Sequence, residues 1–315
     1  MIILWTASIQ VDSLANSHEN GGGGKIPMIP SYFRLDDRDA YGRWRESRLA
    51  RAPRDVGDLV VEVGDIAALS GAELAALRDR LGRCNMAVYA ERPKPGRDDK
   101  AALKSLGARL GLATLDANAL ADDDGITPLA VHREGQRARY IPYTERPITW
   151  HTDGYYNPPE RIVRALLLHC AGKAAEGGAN RLMDHEMLYI LLRDQDPELI
   201  RVLMQPDAMT IPGNDEEGLT RPATVGPVFS VNADGSLHMR YTARSRNVVW
   251  SEAAAPAAAA IRRLLDGPSP HIFEHVLEPG QGLVSNNPLH TREPFKDDPA
   301  SPRLLYRARY HERIS

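Results

Sequence analysis

The chain has 315 residues, 43% of them apolar, and a formal net charge of −3. That length carries one large domain with a buried core, or two small ones. The slight acidic excess gives no footing for a nucleic-acid partner, and the absence of any apolar run of about eighteen residues gives none for a membrane span.

Residues 1–35 read as a flexible leader, with Asn20 followed by four glycines and no hydrophobic period. The opening MIILWTASIQVDS lacks the basic region and cleavage site of a signal peptide. Met28 offers an alternative start. Only Cys84 and Cys170 are present, too few for a disulfide framework, which points to a reducing cytoplasm. Residues 36–54 are dense in charge, with Tyr41, Trp44 and Leu49 as apolar anchors, and predict an amphipathic helix lying on the main domain.

The main domain, 55–315, opens with a short strand at 59–63. Ser70 with Glu73 three residues on predicts a capping box and a helix over 70–81. A strand is expected at 86–89 and a helix at 100–110. Short strand-like runs then follow at 148–150, 162–170, 209–211, 228–231, 237–242, 272–278, 282–286 and 304–310. Two helical stretches interrupt them, one capped by Asp184 and one, rich in alanine, capped by Ser251. Many short strands at modest spacing, without regular helix alternation, favour an α+β jelly roll over a doubly wound parallel sheet.

His151-Thr152-Asp153 carries the chemical signal. Residues two apart on a strand share a face, so an imidazole nitrogen and a carboxylate oxygen can meet one ion. His290, after the strand at 282–286, is the best third ligand. Two histidines and one carboxylate leave open positions, which suits iron(II) binding a chelating co-substrate and dioxygen together. With ten histidines in the chain, about one His-x-acid pair arises by chance. His132-Arg133-Glu134 is such a pair, in a polar turn, and reads as solvated surface. His151 instead closes the apolar run ITW and is followed by Gly154.

Arg303 lies thirteen residues after His290 and alternates with Leu305, Arg307 and Arg309 on one predicted strand. A guanidinium near a metal can form a bidentate pair with a carboxylate. For Arg309, nearest the terminus, a solvated edge is the expectation. Tyr155, Tyr156 and Asn157 after the His-x-Asp pair could wall a substrate pocket. Arg240, Arg244 and Arg246 form a second basic cluster; if some point inward beside Arg307, the substrate is anionic, and a solvated strand face is the competing reading. His169, His185 and His238 read as structural.

The succession HTDG, EGGAN, NNPLHTREPF and RLLYRARY resembles the taurine dioxygenase-like (TauD/TfdA) family of 2-oxoglutarate-dependent oxygenases, over roughly residues 55–315. In that family a His-x-Asp pair, a distant His and an Arg shortly after it span a comparable length. The resemblance implies a double-stranded β-helix with a helical N-terminal region and helical insertions. It implies Fe(II), and 2-oxoglutarate consumed with O2 to give succinate and CO2. By this match His151, Asp153 and His290 are the metal ligands, Arg303 pairs with the distal carboxylate of 2-oxoglutarate, and Arg307 stands where the substrate is often faced. The family has Thr after its Gly-Gly pair; here Gly177-Gly178-Ala179 leads to Asn180, whose amide can donate the same hydrogen bond. Tyr155, Asn157 and Arg240 are added as substrate contacts.

The expected function is therefore hydroxylation of a small, anionic molecule by a cytoplasmic enzyme; assembly into a homo-oligomer is compatible with it. Two other classes fit the same residues: a zinc-dependent hydrolase, which needs no keto-acid arginine, and a non-catalytic jelly-roll binding protein.

Overall fold

The apolar run at 165–170 leaves no face polar, and a strand of that kind belongs at the centre of a sheet covered on both sides. In the computed structural model, which describes residues 29–117, 122–216 and 219–315, that expectation holds. Ten strands form two main sheets: β1 (Val60–Glu62), β2 (Met86–Ala90), β3 (Thr127–Leu129), β4 (Ile148–His151), β5 (Ala165–Gly172), β6 (Asn180–Met183), β7 (Ile272–His275), β8 (Gln281–Ser285), β9 (Leu289–Arg292) and β10 (Leu304–Tyr310). The larger sheet runs β1-β2-β8-β5-β10-β3 and the smaller β7-β6-β9-β4. Within them only β1 and β2 pair in parallel, which rules out the doubly wound alternative.

Strand alternation divides the core. Leu166, Leu168 and Cys170 of β5 face inward with Met86, Val88, Leu283 and Leu305, and meet Leu182, Phe273 and Leu277 beyond. Ala165 and Leu167 face outward with Tyr89, Val284 and Ala308, under helices α2 (Gly71–Cys84) and α3 (Asp99–Arg109). The outer face of the smaller sheet, through Trp150, Met183 and Leu289, is covered by α4 (His185–Gln195), α5 (Pro197–Leu203) and α6 (Ala255–Asp266). The iron-type site expected from the sequence thus falls on the inner face, between two rigid sheets.

Local signals explain the element ends. Ser70 and Glu73 make both halves of the capping box, and Asn85 closes α2 in the left-handed conformation. Asp184 caps α4 through Glu186 N–H. Ser251 does not cap α6. The helix begins at Ala255, just before Pro256, and Ser251 instead stabilises the turn ahead of it by accepting from Ala254 N–H.

Helix α1 (Arg38–Arg51) is the helix expected over 36–54, shorter at both ends, with Tyr41, Trp44 and Leu49 against the helical core. Arg48 pins it through Asp184 and Glu186 at 2.6 and 2.9 Å. Most of the expected leader lies outside the described residues, but its last part packs. Phe33 is buried, and Tyr32 stacks on Trp44 with centroids 5.4 Å apart.

Candidate active site

His290 on β9 is the direct cross-strand partner of His151 on β4, and the two ring centroids lie 4.2 Å apart. Each Nδ1 faces a carbonyl two residues back: His151 to Thr149 O at 2.9 Å, His290 to Pro288 O at 3.0 Å. A carbonyl only accepts, so both Nδ1 atoms carry hydrogen, and Nε2 is the nitrogen each ring can offer to a metal. Burial, with His151 beside it, pushes the pKa of His290 down to about 4, so this ring is neutral at physiological pH.

Asp153 does not sit on the strand as the two-residue spacing suggested. β4 ends at His151, and Asp153 lies in the turn beyond it, ahead of Gly154 at φ 68°. Thr152 replaces the lost strand pairing by bonding Tyr241 through both its N–H and its hydroxyl. Asn287 then fixes the next residue: its Oδ1 accepts from Asp153 N–H at 2.7 Å, and its Nδ2 donates to Asp153 O at 2.9 Å and Val163 O at 2.8 Å. The result is the intended convergence. One ligand atom from each of His151, Asp153 and His290 lies within 4.8 Å of the others. Burial alone would raise the Asp153 pKa, but Arg307, whose Nη1 is 3.4 Å from both carboxylate oxygens, holds it well below the usual range. A carboxylate and two imidazole nitrogens converging on one point match the donor set for Fe(II). His132, the chance pair, packs on Tyr143 instead.

Two adjoining hollows lead away from the triad. One is lined by Leu168, Leu182, His275 and His290, the other by Lys173, Gly177, Gly178 and Arg303, and both share Asn180 and Leu277. Arg303 is only 5% exposed and stacks on Phe295 at 4.7 Å. Among the described residues nothing accepts a hydrogen bond from its guanidinium. Burial lowers its pKa, so an incoming carboxylate would relieve a real cost. Asn180 spends one Nδ2 hydrogen on Thr291 O at 2.9 Å and keeps its other hydrogen and Oδ1.

The expected substrate residues fare differently. Tyr155 stands edge-on to the His151 ring, centroids 6.4 Å apart, with Tyr156 against it. Asn157 is tied into its own loop, Nδ2 donating to Arg161 O at 2.8 Å. Arg240 is buried, and its guanidinium is spent on the carbonyls of Met209, Thr224 and Gly226. Arg244 and Arg246 are exposed, as the solvated reading has it. Arg309 overturns its expectation: it is 3% exposed, not in water, because Asp116 meets it at 2.6 Å. Sequence reasoning passed over Asn287, Asp116 and Arg292. The last donates to the carbonyls of Ile141, Pro142, Thr144 and Arg146 and so holds the segment leading into β4. Only Asn287, between Asn286 and Pro288, carried a local hint.

A mostly antiparallel jelly roll holding a His/Asp/His triad beside a buried arginine defines a mononuclear non-haem iron oxygenase. Residues 65–309 match the model of the taurine catabolism dioxygenase TauD, TfdA family, and the chain belongs to that family. It is an iron- and 2-oxoglutarate-dependent dioxygenase, which sets aside the hydrolase and the non-catalytic readings. It is 35% identical over 200 residues to a uridine-5'-phosphate dioxygenase of Streptomyces sp, covering 59% of this chain and 70% of that one. It is 33% identical over 175 residues to a uridine-5'-phosphate dioxygenase of Amycolatopsis sp, covering 52% and 60%. Its fold is shared with the non-heme iron oxygenase OrfP in complex with Fe and alpha-ketoglutaric acid, at TM-score 0.56 and 19% identity, over 78% of this chain and 81% of that one. No helix among the described residues is long and apolar enough to cross a membrane.

Proposed function

We propose that His151, Asp153 and His290 hold the iron, that Arg303 and Asn180 hold the distal carboxylate of 2-oxoglutarate, and that the substrate is a nucleoside 5'-phosphate or a close anionic analogue. The observation that carries the first two assignments is the adjacency of two hollows. One reaches His290 and the other a buried guanidinium with no acceptor among the described residues, and Asn180 lines both. Iron held there would let dioxygen oxidise both partners, one oxygen atom going into succinate as 2-oxoglutarate loses CO2 and the other to a substrate C–H bond.

The residues do the positioning. The two Nδ1–carbonyl bonds fix both imidazoles before any metal arrives, so little ordering remains to be done. Arg307 keeps Asp153 charged, and the apolar wall of Val88, Leu168, Leu182 and Leu283 excludes water from the co-substrate hollow.

The substrate class rests on the two curated relatives, which act on uridine 5'-phosphate by name. The site offers matching chemistry. Tyr155 and Tyr156 present aromatic surface beside the triad, and the Arg221 guanidinium lies 5.6 Å from the Tyr156 ring centre. An aromatic face with a cation beside it suits a base and a phosphate. Both cysteines are free and buried, which suits a cytoplasmic enzyme.

The test is an anaerobic absorption spectrum of the iron-loaded protein with 2-oxoglutarate, followed by succinate release with uridine 5'-phosphate, uridine or an alkylsulfonate. Arg303→Ala should weaken 2-oxoglutarate binding by about a hundredfold while iron still binds. Unchanged 2-oxoglutarate affinity in that variant overturns the arginine assignment. Succinate release stimulated by the sulfonate and not by uridine 5'-phosphate overturns the substrate class.

A further inference from the structure

Beyond the triad, a second buried carboxylate organises the pocket. The side chain of Asp116 is 1% exposed. Its Oδ2 meets Arg309 Nη2 at 2.6 Å, a charge contact and not an aligned hydrogen bond. Its Oδ1 accepts from Arg161 Nη2 at 2.8 Å and Asn157 Nδ2 at 3.3 Å, with His311 Nε2 at 3.9 Å. Its backbone N–H donates to Arg309 O at 2.7 Å, and Leu115 bridges Tyr310, so the segment is pinned to the end of β10.

Arg309 then reaches forward, donating from Nη1 to the Tyr156 hydroxyl at 3.0 Å. Two residues earlier on the same strand face, Arg307 Nη1 reaches Asp153. Strand β10 therefore holds the turn that follows His151 at both ends, one guanidinium on Asp153 and one on Tyr156. Arg307 has the triad carboxylate as its counter-ion. Arg309 needs one of its own, because a buried guanidinium without an anion is strongly destabilising. Asp116 is that anion, and it also takes the two donors, Asn157 and Arg161, at the far side of the same loop.

We propose that Asp116 is a positioning residue for substrate binding: it sets Arg309 against Tyr156 and ties down Asn157, fixing the Tyr155–Asn157 wall beside the iron triad. The side-chain partners of Asp116 are Arg309, Arg161, Asn157 and His311, none of them in the triad or the co-substrate hollow, so its effect passes through Arg309 and the loop. Both Asp153 and the 2-oxoglutarate hollow keep their own partners without it, so its loss should separate substrate binding from co-substrate binding. The substrate half of this inference rests on the function proposed above; the loop half does not.

The test uses the full-length iron-loaded enzyme as wild type, Asp116→Asn, and the double variant Asp116→Asn/Arg309→Gln. The double variant removes both buried charges, so an effect due only to an unpaired charge disappears in it. Thermal unfolding should drop for Asp116→Asn and recover for the double variant. Amide hydrogen exchange over 153–161 should rise about tenfold or more in both, with the β9 amides unchanged. With uridine 5'-phosphate as probe, its KM should rise about tenfold in both variants while the KM for 2-oxoglutarate stays within about twofold. Recovery of loop protection and KM together with stability in the double variant would reduce Asp116 to a structural ion pair and overturn the proposal, as would unchanged exchange in Asp116→Asn. If wild type leaves uridine 5'-phosphate untouched, the substrate reading fails, and the exchange measurement alone decides the role of Asp116.

Discussion

The side-chain amide of Asn287 brackets the backbone of Asp153, accepting from its N–H at 2.7 Å and donating to its C=O at 2.9 Å. Asn287 itself sits at φ 52°, a left-handed conformation that asparagine tolerates better than most residues. Its amide replaces the strand partner that Asp153 lacks once β4 has ended. Asn287→Ala should remove the partner of three buried backbone groups, Asp153 N–H, Asp153 O and Val163 O, costing about 3 kcal/mol or more. It should also weaken iron binding by about ten- to a hundredfold, the usual effect of removing a group that orients a metal ligand. Thermal unfolding and metal titration check both; iron affinity equal to wild type would contradict the role.

Arg307 and Asp153 predict a pH effect. The folded-state pKa of Asp153 is depressed, so its ionisation contributes stability above the ordinary carboxyl pKa, lost as pH falls through the lower folded value. Arg307→Gln removes the main attraction and leaves burial to push the carboxyl up. The acid limb of metal binding should therefore move to higher pH. Cobalt(II) titrations across the acid range measure it, and an unmoved limb would show that Arg307 does not govern the carboxylate.

His290 gives the same sign of dependence in a higher pH window. Its pKa falls to about 4 in the fold, so between the ordinary histidine value and pH 4 the unfolded chain binds more protons. The metal-free protein should lose stability steadily as pH drops through that window. His290→Gln should flatten the slope. Chemical denaturation of the apoprotein at several pH values reads this directly.

Arg240 supports three carbonyls, from Met209, Thr224 and Gly226, and burial lowers its pKa to about 10. Arg240→Met should cost about 1–3 kcal/mol in stability by leaving those oxygens unpaired. Its KM for 2-oxoglutarate should hardly change. A rise in substrate KM at unchanged stability would instead favour the direct substrate contact expected from sequence.

Much of the molecule was legible before folding was considered, because its signals are local. Ser70 and Glu73 announce a helix start within four residues, and the apolar run at 162–170 announces a strand, observed as β5. His151, Asp153 and His290 stood out by residue type and spacing, and the structure brings them together. The route differed from the expectation, since Asp153 lies past the strand and reaches the triad through a turn.

The arginines show where local reading stops. Arg303 just before β10 and Arg307 and Arg309 on it lie at alternate positions of one segment, and Arg240 lies in another basic run, yet all four have different surroundings. Arg303 faces a hollow, Arg307 meets Asp153, Arg309 meets Asp116, and Arg240 caps carbonyls. By itself the chain determined which chemical groups were available and which stretches became strand or helix, since both depend on neighbours a few residues away. Only the tertiary structure decided which guanidinium is neutralised and which is left for a ligand. The free energy of a buried charge depends on its partner, and these partners arrive from remote parts of the chain.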